Sequence, residues 1–336
     1  MKRFAILIIA FLLTSPLFLW GKTGNADDLA RIPSNLSSKA KPKKINRFVP
    51  AGDYSGITHI KDNLYAVVDD KSEKDGFYLW NIFIDSKKGK PVNIENLGFI
   101  ATPNPNRDAE GIAYLPHRNT LLIAGEKDNR IIEYTLEGQP TGRQSIQLLS
   151  KRGNLGIEGL CYDSLTHTVY AIEENNGADS CHLFLLDDNL QLIDTKIYPL
   201  DPPSAKPKKK GSHIYGASEI LAYGGNLCVL EREVRIPKNK IGAWTRTKIY
   251  SYIPVEGRKV SNLFDKKTRL NLTSRRFANF EGMCFGPTLD DGSPTLILIS
   301  DSQHRHKGVL RDWMQVVKMK SEAPFQLPRG GVKPSE

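Results

Sequence analysis

Apolar residues along most of the chain recur in short runs that alternate with polar residues and are separated by turn residues. Period-two alternation over four to eight residues is typical of β-strands. The clearest example lies within 108–149, where strands are predicted over 112–115, 121–124, 130–136 and 144–149. Beyond the N-terminus no long stretch shows a helical apolar stripe. The pattern therefore predicts an all-β protein.

A seven-residue phrase repeats along the chain at the start of such strands. Complete copies, with glutamate before glycine, lie at 108–114, 156–162 and 279–285. The copy at 217–223 keeps the glutamate but not the glycine, and the copy at 53–59 keeps only the glycine. Their spacing is near the length of a four-stranded propeller blade with loop insertions. We predict a β-propeller of five antiparallel four-stranded blades, and six blades remain compatible with the sequence.

The last repeat shows only three strands over 280–320, so its outer strand must come from elsewhere. The sequence predicts that strand over 46–49, before the first repeat. A ring closed by strands from both termini leaves no exposed sheet edge. The predicted propeller domain spans 45–320.

The N-terminus has the layout of a secretory signal. Lys2 and Arg3 precede an uncharged stretch over 4–20, and polar residues follow. We expect a cleaved signal peptide over 1–21, with an uncleaved anchor as the alternative. A polar linker is expected at 22–44 and a polar tail at 321–336. The mature protein is then a monomer in the periplasm or outside the cell, with no stable membrane span.

Charge and cysteine content narrow the function classes. The formal net charge is +10, and part of it lies in lysine runs within 39–44 and 206–210. Such runs are usually solvated loops, which can also attract anions. No nucleic-acid-binding motif is present, so the expected partner is a small anionic substrate such as a phosphate ester. Export permits disulfides and leaves their pairing open. The four cysteines form no CxxC motif, however, and we expect them to be free and buried.

Two sets of acidic residues recur with the blades. Inner strands of a propeller meet at its axis, so the phrase glutamates are expected to face one another and to repel. A second set of acids ends the next strand of each repeat: Asp69 and Asp70, Glu126, Glu173 and Glu174, Glu231, and Asp301. Calcium prefers such oxygen ligands and could polarise a bound phosphate. The predicted calcium ligands are Glu110, Glu158, Glu219, Glu281, Glu126, Glu173 and Glu231.

Candidate catalytic and substrate-binding residues follow from these sets. The candidate catalytic residues are Glu110, Glu158, Glu281, Asp301 and His304. Arg107, Arg275, Arg276 and Arg305 are candidates for clamping a substrate phosphate. The alternatives are structural: the glutamates accept backbone hydrogen bonds or pair with arginines, and the strand-ending acids only form turns. Motifs of serine hydrolases, zinc proteases and P-loop enzymes are absent from the sequence.

Around residues 50–320 the sequence resembles the phytase-like family of bacterial propellers, described as having esterase-like activity of phytase. The residues that carry the resemblance are 279–283, Gly286-Pro287, 290–292 and 296–301. The phrases around Glu110 and Glu158 fit other blades of that family. The resemblance implies a hydrolase of phosphate or carboxylic esters that is assisted by a metal. A non-catalytic propeller that binds a glycan or an envelope protein is the alternative, because no compact catalytic motif is present.

Overall fold

The computed structural model describes residues 35–37, 41–150, 155–204, 211–223, 225–238, 241–271, 273, 275–306 and 308–320. The described residues form strands and turns and contain no helix. Accordingly, no helix in these ranges is long and apolar enough to cross a membrane.

Twenty of the strands form five antiparallel sheets of four strands each, arranged as the blades of a β-propeller. Blade I consists of β3 (Tyr54–Lys61), β4 (Leu64–Asp69), β5 (Lys74–Asp85) and β6 (Lys90–Pro105). Blade II consists of β7 (Ala109–Leu115), β8 (Thr120–Gly125), β9 (Arg130–Thr135) and β10 (Pro140–Gln144). Blade III consists of β11 (Ile157–Asp163), β12 (Thr168–Glu173), β13 (Ser180–Leu186) and β14 (Leu192–Pro199). Blade IV consists of β15 (Gly211–Tyr223), β16 (Asn226–Pro237), β17 (Trp244–Ile253) and β18 (Arg258–Arg269). Blade V consists of β19 (Asn279–Gly286), β20 (Thr295–Asp301), β21 (Trp313–Lys320) and β1 (Asn35–Ser37), and β2 (Lys43–Lys44) also pairs with β21. The predicted fold class and the count of five blades are confirmed.

An N-terminal strand closes the ring, but it is not the strand that the sequence indicated. β1 pairs with β21, so that Asn35 lies opposite Lys320. The prediction of a strand over 46–49 is wrong, because this segment turns, with Phe48 N–H donating to the Ile45 carbonyl at 2.8 Å. Ile45 and Val49 are instead buried between blades V and I. The propeller therefore begins within the segment predicted as a linker.

Apolar side chains fill the space between adjacent blades and form the core. The five interfaces each bury their own cluster of aliphatic and aromatic residues. Cys161, Cys181, Cys228 and Cys284 are free and buried within these clusters. Burial raises the pKa of the Cys228 thiol to about 12 and also raises the pKa of the other three. Neutral thiols that pack as small apolar groups are the consequence.

The repeated glycine of the phrase allows the inner strands to approach one another at the axis. A Cβ at Gly159 would lie 2.7 Å from Cα of Glu219 in the next blade. A Cβ at Gly111 would lie 2.7 Å from Cβ of Leu160, and one at Gly56 would lie 2.4 Å from the Glu110 carbonyl oxygen. The glycine is thus a packing requirement of the five-bladed ring.

Closure by β1 generates a testable prediction. Leu36 is 5% exposed and packs between blades IV and V. We expect Leu36→Ala to lower the free energy of unfolding by about 2–4 kcal/mol, because it leaves a cavity at this interface. The matched control is Leu192→Ala in β14, the outer strand of blade III, where the side chain is 40% exposed. Urea denaturation measures both variants. Equal stability losses would show that β1 contributes no more than an exposed outer strand.

Candidate active site on the propeller axis

Each blade has a β-bulge in its inner strand, near the strand start in four blades and within β15 in blade IV. The bulged residues form the first of two levels of side chains at the axis. In blade V, Phe280 pairs with Ser300 and Gly282 pairs with Ile299, so Glu281 is left between the two pairs. The same irregularity occurs in the other blades. The residues of this inner level are Ser55, Glu110, Glu158, Ser218 and Glu281.

The register corrects one predicted equivalence. In blade IV, Ala217 pairs with Glu231 and Glu219 pairs with Leu230, so the bulged residue is Ser218. The alignment that equated Glu219 with Glu281 is therefore wrong by one residue, and Glu219 stands at the position where other blades have glycine. The sequence shows a Ser-Glu pair there, and the glutamate alone suggested the match.

Glu219 is a buried carboxyl that binds backbone groups around the axis. Its Oε1 accepts the N–H groups of Leu160 and Ile220 at 3.0 Å each. Burial raises its pKa well above the usual value, while hydrogen bonds from the backbone of Ile220, Leu160 and Met283 oppose that rise. Glu219 thus joins blades III, IV and V beneath the inner level. It accepts backbone hydrogen bonds, which is the structural role that the sequence offered as the alternative to metal binding for the phrase glutamates.

The second level follows the residue of the second strand that pairs just before the bulge. Pairing of Tyr54 with Asp69, and of Ile157 with Glu173, places Asp70 and Glu174 at equivalent positions one residue further on. In the other three blades, too, the residue of this level comes directly after the partner of the residue that precedes the bulge. The residues of this outer level are Asp70, Glu126, Glu174, Arg232 and Asp301. Four of the predicted strand-ending acids therefore meet at the axis.

Glu173 and Glu231, which were predicted as metal ligands, lie one residue earlier and are bound within the blades. Glu173 Oε1 lies 2.6 Å from His182 Nδ1 and accepts the His182 N–H at 2.8 Å. Glu231 accepts the Tyr198 hydroxyl at 2.7 Å and pairs with Lys259. Successive residues of a strand point to opposite faces, so only one residue of each pair can face the axis.

Arg232 is the cation at the centre of both levels, and the sequence pattern did not single it out. Its Nη2 lies 2.9 Å from Glu174 Oε1 and 3.6 Å from Glu158 Oε2. Its Nη1 pairs with Glu281, which also accepts the side-chain amide of Asn279 at 2.7 Å. Arg232 occupies the position that is acidic in the other four blades. The available signal was its place after Glu231, which matches Glu174 after Glu173.

Burial and mutual repulsion raise the pKa of several of these carboxyl groups. The pKa of Glu110 is raised well above its usual value by burial and then by the charge of Asp70. Burial, followed by repulsion from Glu110, likewise raises the pKa of Glu158. Burial raises the pKa of Asp301 to about 7 and that of Asp70 to about 6. The pKa of Glu126 is also raised, chiefly by burial.

The remaining predicted residues lie around this centre and are held by their own partners. Arg107 binds Asp128 at 2.8 Å and Asp75 at 3.4 Å. Arg305 binds Asp312 at 2.6 Å and three carbonyls of the 46–50 turn. The structure therefore gives both guanidinium groups architectural contacts rather than an open clamp.

Three more predicted residues lie in loops of the same face of the propeller. Arg275 Nη1 donates to the Gly308 carbonyl at 2.6 Å. The Arg276 guanidinium lies 6.0 Å from the centre of the Trp313 ring. His304 Nδ1 lies 3.3 Å from Asp53 Oδ1, and the His304 side chain is 53% exposed. His304 is the one of these three residues that pairs with an acid, Asp53. The charge of Asp53 in turn raises the pKa of the axial residue Asp301.

The arrangement does not fit the predicted calcium ion as the chain stands. Arg232 lies between Glu158 and Glu281, where a cation shared by the phrase glutamates would bind. Among the described residues, no group of three or more histidine, cysteine, aspartate or glutamate side chains is arranged to hold a metal ion. A guanidinium thus supplies the positive charge at this position.

A cleft of about 400 Å³ opens next to Arg232 on this face. Its lining combines an aromatic side chain, an imidazole, an amide and aliphatic groups with the charged centre. The residues are Leu155, Glu174, Asn175, Gly177, His213, Ile214, Tyr215 and Arg232. The cleft gives a small molecule access to Arg232 between blades III and IV.

Comparison with protein families agrees with the five-bladed fold and the repeated phrase. The model of the phytase-like family, described as esterase-like activity of phytase, matches residues 49–304. The chain belongs to the phytase-like family. No curated protein matches this phytase-like chain.

The solved structures that are similar to this phytase-like chain are similar only remotely. Hydrazine synthase of Kuenenia stuttgartiensis matches at 11% identity and a TM-score of 0.39, covering 75% of this chain and 57% of that one. A streptogramin B lyase matches at 14% identity and a TM-score of 0.38, covering 82% and 96%. A luciferin-regenerating enzyme matches at 12% and 0.41, covering 84% and 98%. At these scores, nothing about the chemistry of this chain follows from them.

The raised pKa of Asp301 predicts how stability depends on pH. The neutral form is favoured in the folded state, so stability from this group is full below about pH 4 and is lost as pH rises towards 7. Asp301→Asn should therefore match the native chain near pH 4 and become more stable by about 1–4 kcal/mol at pH 8. Thermal melting across this range measures the difference.

Asp290→Asn, an exposed residue between β19 and β20, is the control for that experiment. Because the Asp290 side chain is exposed, this substitution should leave the melting temperature close to that of the native chain. A stability gain for Asp301→Asn that is equally large at pH 4 would contradict the assigned titration.

Proposed function

We propose that the protein is a hydrolase of phosphate or carboxylic esters that acts at the two axial levels. The observation that carries the proposal is the position of Arg232, whose side chain is 12% exposed, among carboxyl groups that include Asp301, whose pKa lies near neutrality. Membership of the phytase-like family supports the class of reaction. The substrate is a small anionic ester.

Arg232 is suited to bind the anionic part of such a substrate. Glu174, Glu158 and Glu281 fix the guanidinium through its Nη atoms. Its Nε is buried and, among the described residues, has no hydrogen-bond partner. A buried donor without a partner favours a ligand oxygen, and a fixed guanidinium stabilises negative charge that develops during ester cleavage.

Asp301 and Asp70 are suited to acid–base chemistry. A group with a pKa near the working pH exchanges protons most effectively in a transition state. Asp301, with a pKa of about 7, is half ionised near neutrality, whereas Asp70, with a pKa of about 6, is mostly ionised there. One carboxylate therefore takes a proton from the attacking water, and a neutral carboxyl donates one to the leaving oxygen.

The cleft beside Arg232 is the proposed substrate seat. Tyr215 and Ile214 offer apolar surface, and Asn175 offers an amide. The uncharged part of an ester can pack against these groups while its anion reaches Arg232. Export of the mature chain, inferred from the N-terminal pattern, remains part of this proposal and lies outside the described residues.

The proposal predicts ester hydrolysis that depends on Arg232 and Asp301. Purified mature chain is assayed with phytate, p-nitrophenyl phosphate and p-nitrophenyl acetate from pH 5 to 9. We expect turnover whose pH profile has an inflection near 7, and a loss of about 10²-fold or more in Asp301→Asn. Arg232→Lys should lose activity to a similar degree, because a lysine cannot reproduce the three-way guanidinium contact.

The control for these variants is Arg258→Met in the outer strand β18, where Arg258 pairs with exposed Glu256. Its activity should equal that of the native chain. Absence of turnover on all three substrates by correctly folded protein would contradict the proposed hydrolase and favour a binding propeller.

Calcium stays a prediction of the sequence, and a melting experiment decides between it and Arg232. Calcium that binds only the folded state raises its stability by about 2.7 kcal/mol at a hundredfold excess over its dissociation constant. With Arg232 in place we expect melting and hydrolysis to be unchanged by calcium or by chelator. A calcium-dependent rise in melting temperature that Glu281→Gln abolishes would establish the metal and contradict the role given to Arg232.

A further inference from the structure

The axis has a second opening at the face of the propeller opposite the carboxyl groups. A funnel of about 710 Å³ lies between the later halves of the five inner strands. Its inner end is formed by the residue that comes directly after the phrase glycine in each inner strand, or after Glu219 in blade IV. These are Ile57, Ile112, Leu160, Ile220 and Met283. The close approach of the strands at that level, together with Glu219, separates the funnel from Arg232.

Every blade contributes one aromatic or imidazole ring to the mouth of this aromatic funnel. The five residues are His59, Tyr114, Tyr162, Tyr223 and Phe285, and each is partly exposed. Pairing places the first three and Phe285 at equivalent positions, while Tyr223 comes one residue later and packs 5.8 Å from Phe285. The five rings therefore surround a single opening and are not isolated surface residues.

The charge of the lining indicates a neutral ligand. Among the described residues that line the funnel there is no lysine, arginine or glutamate. The single carboxylate, Asp163, is used in its own turn, where it accepts the Leu165 N–H at 2.9 Å and the Thr166 hydroxyl at 3.0 Å. A charged ligand would lose hydration here without gaining a partner.

The walls are also polar enough to disfavour a hydrocarbon chain. Each inner strand pairs with one neighbour within its blade, so its other edge faces the axis with N–H and C=O groups that have no strand partner in the described sheets. Buried backbone groups require hydrogen bonds, which an alkyl chain cannot supply. A ligand with hydroxyl groups around its edge and apolar C–H faces satisfies both the strand edges and the rings.

We propose that the aromatic funnel is a binding site for the neutral sugar ring of a glycan, separate from the hydrolytic centre. The apolar faces of the sugar pack on Tyr114, Tyr162 and Phe285, and its hydroxyl groups bond to the strand edges. A volume of this size lies within the usual range for small-molecule sites. The site gives the protein a means of holding a neutral polymer at one face while the opposite face remains open.

Binding of neutral trisaccharides to the mature chain tests this site. Maltotriose, cellotriose and N,N′,N″-triacetylchitotriose are titrated and followed by calorimetry and tyrosine fluorescence, with decanoate and glucuronate as apolar and charged comparators. We expect at least one trisaccharide to bind and both comparators to fail. Phe285→Leu and Tyr114→Leu should each weaken binding about tenfold, because they keep apolar volume but remove a ring face. Tyr114→Phe should retain binding, which distinguishes ring loss from unfolding.

Tyr215→Leu is the matched control on the opposite face and should leave sugar binding unchanged. Ester hydrolysis by Phe285→Leu should equal that of the native chain, so failure of the hydrolase proposal does not affect this test. The assignment is overturned if no trisaccharide binds at millimolar concentration or if decanoate binds more tightly. It is also overturned if Phe285→Leu and Tyr114→Leu bind as the native chain does.

Discussion

The guanidinium of Arg232 is the interaction on which the axial centre depends. Blades I, II, III and V bring carboxyl groups into a small, poorly hydrated space at the axis, where ionised acids repel strongly. Arg232, with its three carboxyl partners, offsets part of that repulsion, while burial and the remaining repulsion raise the pKa of neighbouring carboxyl groups. The same balance that keeps the ring closed also produces carboxyl groups that titrate near neutral pH. Stability and chemistry at this centre therefore cannot be varied independently.

Much of the architecture could be predicted from the sequence because each blade repeats one local pattern. Strand alternation and the glutamate–glycine phrase gave the blades, and the phrase correctly located Glu110, Glu158 and Glu281 at the inner level. Register was harder, since a bulge shifts the facing residue by one position. For that reason Glu219 was misaligned, and the side of the strand on which Glu173 points could not be read from its neighbours.

Arg232 was missed because a search for a repeated acid discards the one blade that breaks the repeat. The exception is informative only when the five strands are placed in register, since a lone arginine after a glutamate is unremarkable in a strand. β1 was missed for a different reason. A three-residue strand with one buried leucine carries almost no periodic signal, whereas the more apolar segment at 46–49 has the composition of a strand but is folded into a turn.

The pairing of β1 with β21 also sets the order in which the molecule can be completed. Asn35 and Lys320 lie at opposite ends of the described chain, so their contact has nearly the largest sequence separation available. Contacts of this kind form late, because the entropy of closing a long loop is lost before the contact contributes any favourable free energy. Blades I to IV can each pair their own strands as the chain emerges, but blade V must wait for its last strand. Until then the interface between blades IV and V presents unpaired strand edges and apolar surface, the features by which incomplete chains aggregate.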